Sequence, residues 1–220
     1  IIGQIDDDNN GISGIEKSFD KELKTKKNLI RLTVDADIQF LIRQELLKFQ
    51  KIFRAKGSAA ILMDVNNGDI ISMVSLPDFN LNERKTIKDV NYINRATKGV
   101  YEFGSVFKTF TIAAGFNENL IESNNKFLNL KKKIECNGFK IKEYNNKTPT
   151  NLTVEEILIR SGNIGSVRIG QKIGEKKFKS FLETIGVLGK INFDIEEVGK
   201  PHPIKWGKCK LATASYGHGI

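Results

Sequence analysis

Hydrophobic positions along the chain switch between two periods, and the switches mark its elements. Ile38, Ile42, Leu46, Phe49 and Phe53 step by four, four, three and four, which lines them along one side of a helix. Thr33 or Asp35 stands where a cap is needed, and Gly57 follows the end. Two apolar, β-rich runs come next, Ser58–Val65 and Asp69–Ser75, joined by Asn66-Asn67-Gly68. Asn-Gly between such runs predicts a hairpin, because both residues tolerate positive φ. A helix packed on an antiparallel hairpin points to an α+β architecture.

On the N-terminal side, Ile1–Gly14 is rich in Asp, Asn and Gly and reads as a loop. Ile15, Phe19 and Leu23 predict a short helix, and Leu29–Thr33 alternates as a strand would. The polar stretch Lys24–Asn28 between them suggests a boundary near Lys27. Beyond the hairpin, Leu76–Gly104 is polar and irregular, and Ser105–Phe116 resumes helical spacing through Phe107, Phe110 and Ala114. Lys133–Lys142, with Asn137-Gly138 at its middle, predicts a second, smaller hairpin. Thr153 and Glu156 make a capping box that opens a helix through Arg160. Further helices are predicted over Ile164–Ile173 and Glu175–Ile185, with a last one after Pro203.

Composition narrows the class. A chain of 220 residues is one domain, or one domain with a short appendage. The 40% hydrophobic and 28% charged fractions are those of a folded chain, and no apolar run approaches the roughly 20 residues of a membrane-spanning helix. The first residue is Ile1 and the last segment is Tyr216-Gly217-His218-Gly219-Ile220, so a piece of a longer protein is expected. The net charge of +9 comes mostly from lysine, not arginine, and arginine is what base-edge readers lean on, so a nucleic-acid partner is not expected. Lys131-Lys132-Lys133 reads as a solvated loop. Cys136 and Cys209 lack the CxxC spacing of a zinc site. They could pair in an oxidising compartment, but the sequence favours two unpaired thiols. His202 and His218 stand alone and read as solvated or structural.

The chemistry rests on Ser-x-x-Lys. At i and i+3 on a helix the two side chains share a face, and a partly desolvated lysine has a lowered pKa and takes the serine proton. The pattern occurs at Ser18/Lys21, Ser105/Lys108 and Ser123/Lys126. Ser18 lies on a short polar helix and Ser123 in a polar loop, where the lysine would stay solvated. Ser105 instead follows Gly104 and opens a strongly apolar helix, in which a lysine is hard to explain as decoration. An N-cap serine with a snorkelling lysine is the local alternative, and the local pattern leaves both open. Ser161-Gly162-Asn163, between two predicted helices, adds a second group: a hydroxyl to relay a proton and an amide to hold a peptide-like substrate.

These motifs resemble those of penicillin-binding proteins, which share Ser-x-x-Lys, Ser-x-Asn and Lys-Thr-Gly with class A β-lactamases. The similarity runs in order along nearly the whole chain. Gly14-Ile15-Glu16-Lys17-Ser18-Phe19-Asp20 resembles the lead-in of the monofunctional (class B) members, and Leu32–Gln39 their first strand and helix. Ala60–Ser75 resembles the hairpin that follows, Asn94-Arg95-Ala96 the approach to the nucleophile, Tyr101–Lys108 the nucleophile region, and Ala214–Ile220 the segment after the second motif. Asn151–Gly174 is most similar to the septal, cell-division type. Phe103 stands where the family usually has proline, and Gly162 where serine or aspartate is common. No Lys-Thr-Gly follows within the chain.

The resemblance implies an α+β, β-lactamase/transpeptidase-like fold, an antiparallel sheet flanked by helices plus a helical subdomain, incomplete in this chain. Residues 1–27 would end a non-catalytic region and linker, and 28–220 would be a transpeptidase domain truncated before its third motif. It further implies a serine D,D-transpeptidase that cross-links peptidoglycan stem peptides during cell division. Ser105 would be the nucleophile, Lys108 the base, Ser161 the proton relay and Asn163 the stem-peptide holder. β-Lactams would acylate Ser105, and no metal or organic cofactor is implied. The partners implied are lipid-linked or nascent peptidoglycan stems and division proteins reached through the missing N-terminal part. The place implied is the outer side of a bacterial inner membrane. As given, the chain is expected to be inactive. The alternatives are a non-catalytic docking module of the division machinery and a β-lactamase or β-lactam sensor of the same fold.

Overall fold

A computed structural model describes residues 1–25, 29–80, 93–145, 147–189 and 191–220. The chain divides into two compact units, Ile1–Val100 with Lys190–Lys200, and Tyr101–Gly189 with Pro201–Ile220. The expected boundary near Lys27 falls outside the described residues.

In the first unit the N-terminal helix forms as two pieces, α1 (Gly14–Ser18) and α2 (Asp20–Thr25), where one was predicted. They part at Phe19, whose φ is −118°. Side-chain bonds on either side account for the break: the Asp20 carboxylate accepts from Gly11 N at 2.7 Å, and Ser18 Oγ accepts from Glu196 N at 2.9 Å. α3 (Ala36–Phe53) starts where Asp35 accepts from Ile38 N at 2.9 Å, an N-cap worth about 1 kcal/mol. Its predicted stripe is half-buried at Ile38, Ile42 and Leu46, whereas Phe49 and Phe53 are exposed and stack on each other.

The predicted hairpin is present as β1 (Ser58–Met63) and β2 (Ile70–Leu76), antiparallel, with Ala60 opposite Val74. Its loop closes through Gly68 N donating to Asp64 O at 2.8 Å. The Gln39 side chain pins α3 to β2: its amide donates to Met73 O at 2.7 Å and accepts from Met73 N at 2.8 Å, as a neighbouring strand would. The strand predicted at Leu29–Thr33 does not form. Leu29 is 96% exposed, and among the described residues the segment's hydrogen bonds to β2 are Thr33 Oγ1 on Ile70 O and, just beyond, Asp35 N on Ile71 O, too few to build a ladder.

The second unit is mainly helical. A 3-10 turn (Gly104–Phe107) runs into α4 (Lys108–Asn117), followed by β3 (Lys126–Phe127), β4 (Lys133–Cys136), β5 (Phe139–Lys142) and β6 (Leu152–Thr153). Then come α5 (Val154–Ile159), α6 (Asn163–Ile173), α7 (Glu175–Thr184) and α8 (Lys208–Ala214). β3 pairs with β6, and β4 with β5, both antiparallel. The β4–β5 turn has φ 49° at Asn137 and 81° at Gly138, the left-handed pair that favours these two residue types. The capping box at Thr153 and Glu156 is formed in both directions. Phe107, Ile112, Ile157, Ile164, Val167, Phe178 and Leu182 join in one buried core. Burying each such side chain fully contributes about 1.5–3 kcal/mol.

The cysteines correct the sequence expectation. Cys136 at the end of β4 and Cys209 in α8 form a disulfide, with Cα atoms 5.4 Å apart across a separation of 73 residues. Local spacing carries no sign of such a pairing, since it depends on where the second hairpin docks.

Candidate active site

Ser105 was expected to open a regular helix; it sits instead in the 3-10 turn, with Lys108 N donating back to Ser105 O. Side chains at i and i+3 eclipse in 3-10 geometry, so the local backbone alone aligns the Ser105 hydroxyl with the Lys108 amine. Nζ lies 3.1 Å from Ser105 Oγ. The two differ sharply in surroundings, for Ser105 is exposed and Lys108 is 1% exposed. Phe103, just before the turn, has φ −71°, a value proline would also hold, so that departure from the family pattern leaves the backbone as it would be.

The second motif arrives between α5 and α6. Ser161 reverses the chain at φ 53°, a left-handed conformation costly for a residue with a side chain. The reversal brings two of its oxygens to Lys108, which donates to Ser161 Oγ at 2.8 Å and to Ser161 O. With Ser105 Oγ, the three protons of the ammonium have three acceptors. Gly162 is buried, but a Cβ there would meet nothing nearer than Ile157 O at 3.6 Å, so packing does not demand the glycine. The structure thus brings Ser105, Lys108 and Ser161 together. Asn163 does not bond to Lys108; its amide Nδ2 donates to Lys142 O at 2.8 Å.

Glu143 escaped the sequence reading. It follows β5, and its two carboxylate oxygens accept from Asn163 N at 2.8 Å and Ile164 N at 2.9 Å, the open N–H groups that start α6. Burial pushes the Lys108 amine down to about 8, against the opposing pull of the Glu143 charge. A lysine lowered to about 8 is roughly a tenth neutral at pH 7, far more than an ordinary lysine, and a neutral amine takes the proton of a serine it touches.

The segment after α8 leans on the Ser105 turn. Gly217 lies so close that a Cβ would stand 1.7 Å from Gly104 O, and its φ is 86°. Thr111 Oγ1, buried in α4, donates to Ser215 O at 2.9 Å. Glu102 accepts from Gly219 N at 3.0 Å and pairs with His218 Nδ1 at 3.0 Å, so His218, expected to stand alone, has a partner. Those bonds, His218 first, hold the Glu102 carboxyl below its usual range. Of the other Ser-x-x-Lys matches, Ser18 is engaged by Glu196 N, while Ser123 and Lys126 are exposed.

The model of the penicillin binding protein transpeptidase domain matches residues 58–220. The chain belongs to this family. Among curated relatives, it is 27% identical over its whole length to a probable peptidoglycan D,D-transpeptidase FtsI of Caulobacter vibrioides, covering 38% of that protein. It is 25% identical to the peptidoglycan D,D-transpeptidase FtsI of Escherichia coli K12, again over its whole length and covering 42% of the relative. It thus spans about two fifths of the length of these transpeptidases. Penicillin-binding protein 3 of Mycobacterium tuberculosis superposes with a TM-score of 0.86 at 22% identity, over 100% of this chain and 52% of that one. That likeness shows the α+β transpeptidase fold expected from the sequence, and the same mycobacterial protein has been solved with aztreonam.

Proposed function

We propose that this chain carries the acylation centre of a serine D,D-transpeptidase that cross-links peptidoglycan stem peptides during cell division and is blocked by β-lactams. The observation that carries the reading is the buried Lys108 amine held between the hydroxyls of Ser105 and Ser161, at 3.1 and 2.8 Å. Neutral Lys108 removes the Ser105 proton as Oγ attacks the carbonyl of the D-Ala–D-Ala bond. The tetrahedral intermediate collapses to a Ser105 ester, and the departing D-alanine amine receives a proton passed from Lys108 through Ser161. The amine of a second stem then attacks the ester, forms the cross-link and returns Ser105 to its hydroxyl. Asn163, its amide oriented by Lys142 O, holds the acyl-donor stem. These steps use no metal or organic cofactor.

The septal assignment rests on the similarity to the FtsI transpeptidases of Caulobacter vibrioides and Escherichia coli. The Cys136–Cys209 disulfide suits the outer side of the membrane, where such bonds persist. No described helix is long and apolar enough to cross a membrane. Division proteins are the partners this reading assigns to the parts of the protein beyond the transpeptidase domain.

The test is intact mass of the full gene product after exposure to a penicillin, beside Ser105→Ala. A single slow-clearing penicilloyl adduct absent from the variant is expected. A folded protein that takes up no penicillin would overturn the reading in favour of a docking module, and an adduct that clears within seconds would favour a β-lactamase.

A further inference from the structure

We propose that Glu143 is a positioning residue of the acylation site: it clamps the start of α6 so that Ser161 meets Lys108, and its charge holds the lysine ammonium in place between turnovers. This deepens the acylation reading and rests on it. Four observations converge on Glu143. Both of its oxygens are engaged, one on Asn163 N and one on Ile164 N, a two-point grip that fixes the orientation of an 11-residue helix at its first turn. The preceding residue, Lys142, accepts from the Asn163 side chain, so one short stretch of backbone holds the second motif by main chain and side chain together. The stretch is itself anchored, because it leaves the β4–β5 hairpin that the Cys136–Cys209 disulfide ties to α8. Finally, the Glu143 charge acts on Lys108 and opposes the effect of burial there.

The elements packed around α4 carry other acidic groups: Glu155 of α5 is exposed, Glu175 opens α7 and Glu183 of α7 pairs with Lys179. Glu156 of α5 accepts from Thr153 N in the capping box, and Glu118, after the far end of α4, pairs with Lys177 of α7. Glu102, two residues before the turn that carries Ser105, is taken by His218 and Gly219 N, and so is engaged, as are Glu156 and Glu118. Glu143 is half-buried, which strengthens its field relative to a solvated carboxylate.

The two roles pull the kinetics in opposite directions, which makes them separable. Loss of the grip loosens Ser161, and misplacement at a reacting centre costs about tenfold to a hundredfold in rate. Loss of the charge lets burial act unopposed on Lys108, so the amine becomes neutral at lower pH. The experiment is the second-order rate of Ser105 labelling by a fluorescent penicillin as a function of pH. It is run on the full gene product and its Glu143→Gln, Glu143→Ala and Glu143→Asp variants, each checked for wild-type circular dichroism. For Gln and Ala the plateau falls at least about tenfold, while the pH of half-maximal labelling moves down. Asp keeps the charge but shortens the reach; it shows the lower plateau with a smaller downward move, and serves if the other two fail to fold. A lower plateau with an unmoved half-point in every folded variant would reduce Glu143 to a helix cap and overturn the proposal, as would wild-type rates. Failure of the wild-type protein to label overturns the acylation reading instead.

Discussion

Ser161 Oγ and Lys108 Nζ, 53 residues apart in the chain, stand 2.8 Å from each other. Lys108 reaches Ser105 by local turn geometry, whereas it reaches Ser161 only because α4 and α6 pack together and Glu143 holds the start of α6. The first contact is therefore a property of sequence spacing, and the second a property of the folded unit.

On the proposed mechanism, the buried Lys108 amine makes acylation pH-dependent. With Lys108 required neutral and lowered to about 8, the rate of β-lactam labelling rises as pH climbs through that value. Stopped-flow labelling between pH 6 and 10 checks this; a flat profile would contradict the base role.

The same group links stability to pH. Because its folded value, about 8, lies below the unfolded 10.5, the unfolded chain binds the proton more tightly between them. The stabilisation is fully present above 10.5 and is lost as pH falls through about 8. Urea unfolding of wild type against Lys108→Met isolates it, since the variant lacks this increment.

The proposed relay, Ser161, can be removed without touching the proposed nucleophile, Ser105. Ser161→Ala keeps the carbonyl acceptor for Lys108 but loses the hydroxyl, and acylation slows by about 10²–10⁴. Intact mass is expected to show the same single adduct, formed late. An unchanged rate would remove Ser161 from the proton path.

Gly217→Ala drives a methyl group against Gly104 O and forces a left-handed backbone on alanine. A cost of at least about 2 kcal/mol is expected, read as a lower Tm, together with weaker labelling as the Ser105 turn shifts.

The helices and hairpins were readable because each is written locally: the stripe from Ile38 to Leu46, Asn137-Gly138 at a turn, Thr153 with Glu156 at a helix start. Phe49 and Phe53 fit the same period yet lie exposed, since periodicity reports a face and not what covers it. Leu29–Thr33 had strand alternation but made too few backbone bonds to β2 to become a strand. At the site, Ser105, Lys108, Ser161 and Asn163 stood out as motif residues. Glu143 and the partnership of His218 with Glu102 did not, because a single acid or histidine acquires its meaning only from a neighbour distant in sequence.

The disulfide closes a loop across 73 residues, for which chain entropy predicts about 4 kcal/mol of stabilisation. A Cys136→Ser, Cys209→Ser double variant should melt earlier, and thiol titration of the native protein should find neither cysteine reactive. A ready thiol signal from the folded protein would contradict the pairing.

The left-handed turn at Ser161 sets backbone comfort against chemistry. At φ 53° glycine or asparagine would rest more easily, and neither carries a hydroxyl. A library randomised at 161 and sorted for heat resistance alone should drift toward those two residues. The same library sorted for penicillin uptake should return to serine, and the gap between the two winners would measure what the protein forgoes in robustness to keep its proton path.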